Sequence, residues 1–119
     1  MVSGDEQVLD RDALLEQAGG DPELVLRLIE LFAEDRAETL DAIQEGMAAA
    51  DAKRVERAAH RLKGSLGTLA ARAAHAAALR LETIGRTGSL VDAGAAWVRL
   101  QSELARLQPA LDRVMREGA

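Results

Sequence analysis

Between residues 97 and 114 the apolar side chains fall at Trp97, Leu100, Leu104, Leu107, Leu111 and Val114, alternately three and four positions apart. At about 100° per residue this spacing draws one line down a helix, which must be buried along neighbouring helices. Pro109 lies within the seam. Lacking an N–H, it is expected to kink or restart the helix there, although the apolar pattern continues in register. The same period recurs upstream. Val25, Leu28, Ile29, Phe32, Leu40 and Ile43 line one side of a segment running to about Gly46, and Glu23, Arg27, Glu30, Glu34, Asp41 and Glu45 line the other. This is an amphipathic helix with a core face and a water face. Arg36 falls inside the apolar stripe, where its stem is expected to pack and its head to reach water. No strand-like alternation, internal repeat or low-complexity linker interrupts the pattern.

Helix boundaries follow from capping chemistry. Residues 1–9 read as a flexible lead-in. Asp10 is placed as an N-cap, with Leu9 and Leu14 at the spacing of a hydrophobic staple, and the short helix it opens stops at Gly19-Gly20. Asp21-Pro22-Glu23 opens the second helix with a cap, a proline in the first turn and an acid facing the helix dipole. Asp51 caps a third helix to about Ala70, and a fourth spans 72–86, ending in the Gly85–Gly88 stretch. Ser89 followed by Asp92 has the pattern of a capping box opening the fifth. Short connections between long amphipathic helices suit an all-α antiparallel bundle. Residues 10–117 form one domain in this reading. Apolar residues make up 48% of the 119, enough for a single core, while aromatics are only 2%, so alanine and leucine set the helix spacing.

Composition removes several functional classes. Without cysteine there is no disulfide, thiolate nucleophile or cysteine metal site. Neither histidine has a carboxylate at metal-ligand spacing, so no metal site is expected. A net charge of −5 disfavours general nucleic-acid binding. No apolar run approaches the roughly 20 residues of a membrane span and no basic-then-apolar leader opens the chain, so a cytoplasmic protein without membrane partners is expected. No phosphate-cradling G-x-x-x-x-G-K-[ST] loop is present, so neither ATP nor another cofactor is expected to bind.

The chemistry concentrates on the third helix. Val55, Ala58, Ala59, Leu62, Leu66 and Leu69 form its apolar stripe. His60 lies about 180° from Leu69 and about 160° from Leu62 on the wheel, and so points to solvent. Lys63 and Gly64 stand three and four residues on and border the imidazole. Gly64 and Gly67 each cost about 1 kcal/mol relative to alanine mid-helix. Their lack of side chains would let a partner approach the ring, although Gly67 also fits a bend before the helix end. From 53 to 72 the bases are Lys53, Arg54, Arg57, Arg61, Lys63 and Arg72, against the acid Glu56. Such a patch favours a dianionic phosphoryl group and an acidic partner, with Lys53, Arg57 and Arg61 as docking residues. His75, in an alanine-rich run without that setting, reads as a boundary or surface residue without chemistry.

With these residues the sequence resembles the histidine-containing phosphotransfer (HPt) domain family. The resemblance rests on Ala-His-x-Leu-Lys-Gly-Ser at Ala59–Ser65, Leu-Leu-x-x-x-Gly-Gly-Asp at Leu14–Asp21, Leu-Phe-x-Glu-Asp at Leu31–Asp35 and the pair Leu81-Glu82. The family often has Gly-Ala where this chain has Ala70-Ala71. The resemblance implies an antiparallel four-helix bundle, up-down-up-down, made of the second to fifth helices, with the short N-terminal helix in addition. It also implies that His60 is a phosphoacceptor, that Lys63 and Gly64 orient the ring and leave room around it, and that Ser65 fills a small polar position. It implies response-regulator receiver domains as partners, with a hybrid histidine kinase among the possible sources of phosphate. Mg²⁺ would belong to the receiver. Free imidazole titrates near 6.5, so an exposed ring has a lone pair available at pH 7. The implied protein is a monomeric phosphocarrier, not an enzyme, moving a phosphoryl group between receiver aspartates. Two alternatives stay open: the phosphoacceptor domain of a chemotaxis-type kinase, which shares the histidine-lysine-glycine motif, and a helical adaptor without phosphotransfer. A sensor-kinase dimerisation domain fits less well. It usually has an acid after the histidine and a Thr-Pro pair soon afterwards, whereas Arg61 follows His60 and no such pair exists.

Overall fold

Three aspartates set where helices begin. Asp10 accepts from the Ala13 N–H at 3.0 Å, Asp21 from Glu23 N–H at 3.0 Å and Asp51 from Arg54 N–H at 3.1 Å. Each satisfies a backbone donor that the first turn leaves unpaired. The computed structural model describes residues 4–118. They form α1 (Gly4–Val8), α2 (Arg11–Gln17), α3 (Pro22–Ala48), α4 (Ala52–Thr68), α5 (Arg72–Thr87) and α6 (Ala93–Glu117). Helices α3 to α6 make the antiparallel four-helix bundle, and α4 is the helix that carries His60.

Three expectations change. Residues 4–8, read as flexible lead-in, form α1, which lies against α5 and α6. Leu9 behind it is buried, so burial of apolar surface draws the segment onto the bundle. Residues 1–3 of that lead-in lie outside the described residues. Ser89 does not cap the last helix. Its hydroxyl accepts weakly from Val91 N–H within a turn, and α6 starts later, behind Asp92, without a side-chain cap. Pro109 neither ends nor restarts α6, which is helical from 93 to 117. Pro109 and Ala105, whose carbonyl loses its partner, both face solvent, so water can satisfy the orphaned acceptor.

Leu62, Leu66, Leu81, Leu100, Leu104, Leu107 and Leu111 are among the fully buried side chains. The seam on α6 is buried as its spacing requires, except that Trp97 is half-buried and Ala93 and Ala96 continue the contact face. On α3, Thr39 is buried and Leu40 half-buried. Arg36 packs as expected for its stem, but its head finds protein: Nη1 donates to Gln108 Oε1 at 2.6 Å, and the guanidinium lies 5.8 Å from the Phe32 ring centroid.

The pair α4 and α5 packs most closely, for a reason visible in small residues. Ala74, Ala77 and Ala78 fill the α5 face, and a Cβ at Gly85 would stand 2.7 Å from Glu56 N and 2.9 Å from Ala52 O. Backbone therefore meets backbone where α5 crosses the start of α4. The turns at either end of α4 place Ala50 and Ala70 at φ 54° and 58°, in the left-handed region. The second is the position where the family often has glycine.

Candidate functional site

The α4 stripe of Val55, Ala58, Ala59, Leu62, Leu66 and Leu69 is buried in full, which turns His60 outward with its side chain 67% exposed. The ring is nevertheless held. Its Nδ1 lies 2.5 Å from Glu82 Oε2 on α5, and Lys63 Nζ donates to Glu82 Oε1 at 2.7 Å. Glu82 itself is 2% exposed. Arg86, one turn further along α5, brings Nη2 within 3.5 Å of Glu82 Oε2 and pairs through Nε with Glu56 at 3.2 Å.

Burial alone pushes the Glu82 carboxyl up, but the hydrogen bonds and charges of Lys63 and His60 outweigh it and hold the group below its usual range. An ionised carboxylate only accepts hydrogen bonds, so the proton of the His60 contact belongs to Nδ1. The neutral ring then carries its lone pair on Nε2, on the edge away from Glu82.

Gly64 borders this ring and is exposed, and a Cβ built on it would meet nothing within 4 Å. Packing within the fold therefore does not require glycine there. Gly67 differs: its Cβ would stand 3.4 Å from His75 Cδ2, so the imidazole of His75 covers it. Ser65 turns toward α3, its hydroxyl directed back to the Arg61 carbonyl at 3.4 Å, away from His60. The structure thus unites His60, Lys63 and Gly64, and sets Ser65 and Gly67 apart from them.

The basic patch is also less free than its sequence suggests. Arg54 pairs with Glu45, Arg61 with Asp35 and Arg72 with Asp10, and Lys63 is committed to Glu82. These acids come from α3, α5 and the N-terminal segment, each on a different element from the base it neutralises. Lys53 and Arg57 keep no ion-pair partner among the described residues.

Glu82 and Arg86 are the residues that the sequence left without a role. Glu82 falls in the α5 stripe with Ala74, Ala78, Leu81 and Gly85. A carboxylate on a buried face needs a cation or donor from another element, and that was the available signal. Among the described residues no group of three or more His, Cys, Asp or Glu is placed to hold a metal ion, and no helix is long and apolar enough to cross a membrane.

Fold and site together define a four-helix bundle that presents one histidine, anchored from behind by a buried carboxylate. The sequence model of the Hpt domain family matches residues 27–110, most of the bundle, and the chain belongs to that family. It is accordingly a histidine phosphotransfer module of two-component phosphorelay signalling, in which such domains work with receiver domains and histidine kinases. The fold is similar to histidine-containing phosphotransfer protein B (HptB) from Pseudomonas aeruginosa PAO1, with a TM-score of 0.83 at 24% identity over 92% of this chain and 96% of that one. It is also similar to the HPT domain of the Hpt sensor hybrid histidine kinase from Shewanella, with a TM-score of 0.81 at 19% identity over 94% and 97% of the two chains. No curated protein sequence matches the chain.

Proposed function

We propose that His60 is the residue that carries the phosphoryl group, taking it on Nε2 from a receiver phosphoaspartate and returning it to another receiver aspartate. The observation that carries this reading is the hydrogen bond from His60 Nδ1 to buried Glu82, which leaves Nε2 free on an exposed ring, one helical turn before Gly64, where a Cβ would meet nothing within 4 Å. The Nε2 lone pair attacks phosphorus, the N–P bond forms, and the P–O bond to the partner's carboxylate breaks with its electron pair. No proton has to leave, because Nε2 bears none. The phosphorylated ring keeps its Nδ1–H and becomes cationic, and the Glu82 carboxylate stabilises that charge where it develops. Lys63 holds the other Glu82 oxygen and so fixes the carboxylate that fixes the ring.

Phosphoryl transfer needs positioning and charge neutralisation more than covalent machinery. The module acts as a monomeric substrate and donor, and Mg²⁺ is supplied by the receiver. The test is to incubate the chain with an acetyl-phosphate-charged receiver domain and seek an acid-labile, alkali-stable label. His60→Gln abolishes that label if the assignment is right, and a label that survives the substitution refutes it.

A further inference from the structure

Helix α6 carries a second apolar line, on the side away from its buried seam. Ala95, Val98, Ser102, Ala105 and Pro109 fall alternately three and four residues apart, and all are exposed. At about 100° per residue they lie opposite Leu100 and Leu107. Val91, in the turn leading into α6, extends the line. Val91 and Val98, 88% and 64% exposed, are the two most exposed large apolar side chains among the described residues. One edge of the line carries Arg99, Arg106 and Arg113 at intervals of seven. Arg99 Nε and Arg106 Nη1 both meet Glu103, at 3.3 and 3.2 Å, and Glu103 is 4% exposed. One buried carboxylate thus tethers two exposed guanidiniums, each of which has further N–H donors. Arg113 keeps no ion-pair partner among the described residues. Arg106 and Arg113 also border, with Arg11, a cleft of about 310 Å³ floored by Val8, Leu9 and Ala110. Asp5 lines it too but pairs with none of the three.

We propose that this outer face of α6 is a docking surface for an amphipathic helix of a partner protein, one with apolar residues along its contact line and glutamate or aspartate beside it. The three-four spacing fits a helix running along α6 better than a strand, whose side chains repeat every two residues. From Ala95 to Pro109 the line spans roughly 20 Å, about four turns. Three arginines against one buried acid select for carboxylates on the partner's flank. A second copy that pairs α6 with α6 does not supply them. Antiparallel pairing sets the arginine edge against itself, and parallel pairing offers it Gln101 and Gln108, with Asp112 the one acid nearby. The outer face of α3 is acidic, but it has Glu30, Glu34 and Asp41 where an apolar contact line would run. Helix α6 packs on α5, α3 and α1 and lies across the bundle from α4. The face is therefore available whether or not His60 is engaged, and its docking role does not depend on the chemistry of that residue.

The test uses the full chain and two fluorescein-labelled, stapled helical peptides. Both carry the same leucine-alanine contact line, flanked in one by glutamate and in the other by lysine. Fluorescence anisotropy is expected to show the glutamate peptide binding about tenfold more tightly at low salt, with the difference shrinking as salt is added. Val98→Asp is expected to weaken the glutamate peptide about tenfold at every salt concentration. Arg99→Gln with Arg113→Gln is expected to weaken it about tenfold at low salt only. These positions are exposed, and far-UV circular dichroism checks that the variants keep the fold. No binding of the glutamate peptide, equal affinity for the two peptides, or binding that Val98→Asp leaves unchanged overturns the proposal. So does binding that Lys53→Gln with Arg57→Gln abolishes, which would place the peptide on α4. Sedimentation equilibrium and flotation with phosphatidylglycerol vesicles examine the other occupants. A wild-type dimer, or vesicle binding, that Val98→Asp abolishes would assign the face to a second copy or to a lipid surface instead.

Discussion

His60 and His75 stand on adjacent, closely packed helices, yet they are different chemical objects. His60 is exposed in front and fastened behind, through Nδ1, to a carboxylate in the core. His75 is half-buried, its ring lies over Gly67, and its side chain forms no hydrogen bond or ion pair among the described residues. A nucleophilic imidazole needs one nitrogen engaged so that the other is free at a known place. Exposure without an anchor leaves the tautomer undetermined, and burial without a partner leaves no route for the electrophile.

The strongest way to break this contrast is to exchange the fates of the two rings. His60→Gln is expected to abolish the acid-labile label from a charged receiver, and His75→Gln to leave its rate within about twofold of wild type, as measured in rapid-quench assays. The anchor comes next. Glu82→Ala is expected to slow transfer about 10- to 100-fold, the usual cost of losing a group that orients a reactive ligand. The same change should cost about 1–3 kcal/mol in urea unfolding, because it strips the partner from half-buried Lys63. Glu82→Gln, which can still accept from Nδ1, should fall between the two. Full transfer activity in Glu82→Ala would make the anchor merely structural.

Two glycines sharpen the same comparison. Gly85→Ala drives a Cβ into the α4 backbone and should destabilise by about 1–3 kcal/mol, with transfer reduced only through the unfolded fraction. Gly64→Ala places its methyl in open space, so stability should rise by up to about 1 kcal/mol, while receiver-driven transfer slows. If Gly64→Ala leaves transfer untouched, clearance is not why glycine stands there.

A smaller effect concerns pH. The folded-state pKa of Glu82 lies below its ordinary value of 4.5, so its contribution to stability is present above that value and is lost as pH falls through the depressed one. The difference in unfolding free energy between wild type and Glu82→Gln should therefore shrink on acidification below about pH 4.5. A difference that grows on acidification would contradict the ion-pair assignment.

How far all this was legible depends on the range of the interaction. The Asp10, Asp21 and Asp51 caps, the buried α4 stripe and the outward direction of His60 depend on neighbours within about two turns, and the sequence displays them directly. Glu82 depends on how α5 lies across α4, so its bond to His60 had no signature beyond a misplaced acid in an apolar stripe. The same limit inflated the basic patch, because Asp35 and Glu45, which quench Arg61 and Arg54, belong to α3. Gly64 and Gly85 look alike as mid-helix glycines. Only the third dimension separates one that faces water from one pressed against a neighbouring backbone. Ser89 carried a capping pattern that the turn around it put to a different use.

The α4 helix is bounded at each end by an alanine, Ala50 and Ala70, in a conformation for which glycine is better suited. Left-handed alanine costs roughly 1–2 kcal/mol, and Ala50→Gly is accordingly expected to raise stability by about 0.5 kcal/mol, the gain being offset by the greater freedom of glycine in the unfolded chain. At Ala70 the geometry is secured by three hydrogen bonds: its own N–H to Gly67 O, the Ala71 N–H to Leu66 O, and its carbonyl accepting from the Asp10 N–H. Alanine in these hinges has fewer neighbouring conformations than glycine, so α4 behaves as a fixed post instead of a swinging arm. The surface that α4 presents around His60 is then already ordered before any partner arrives.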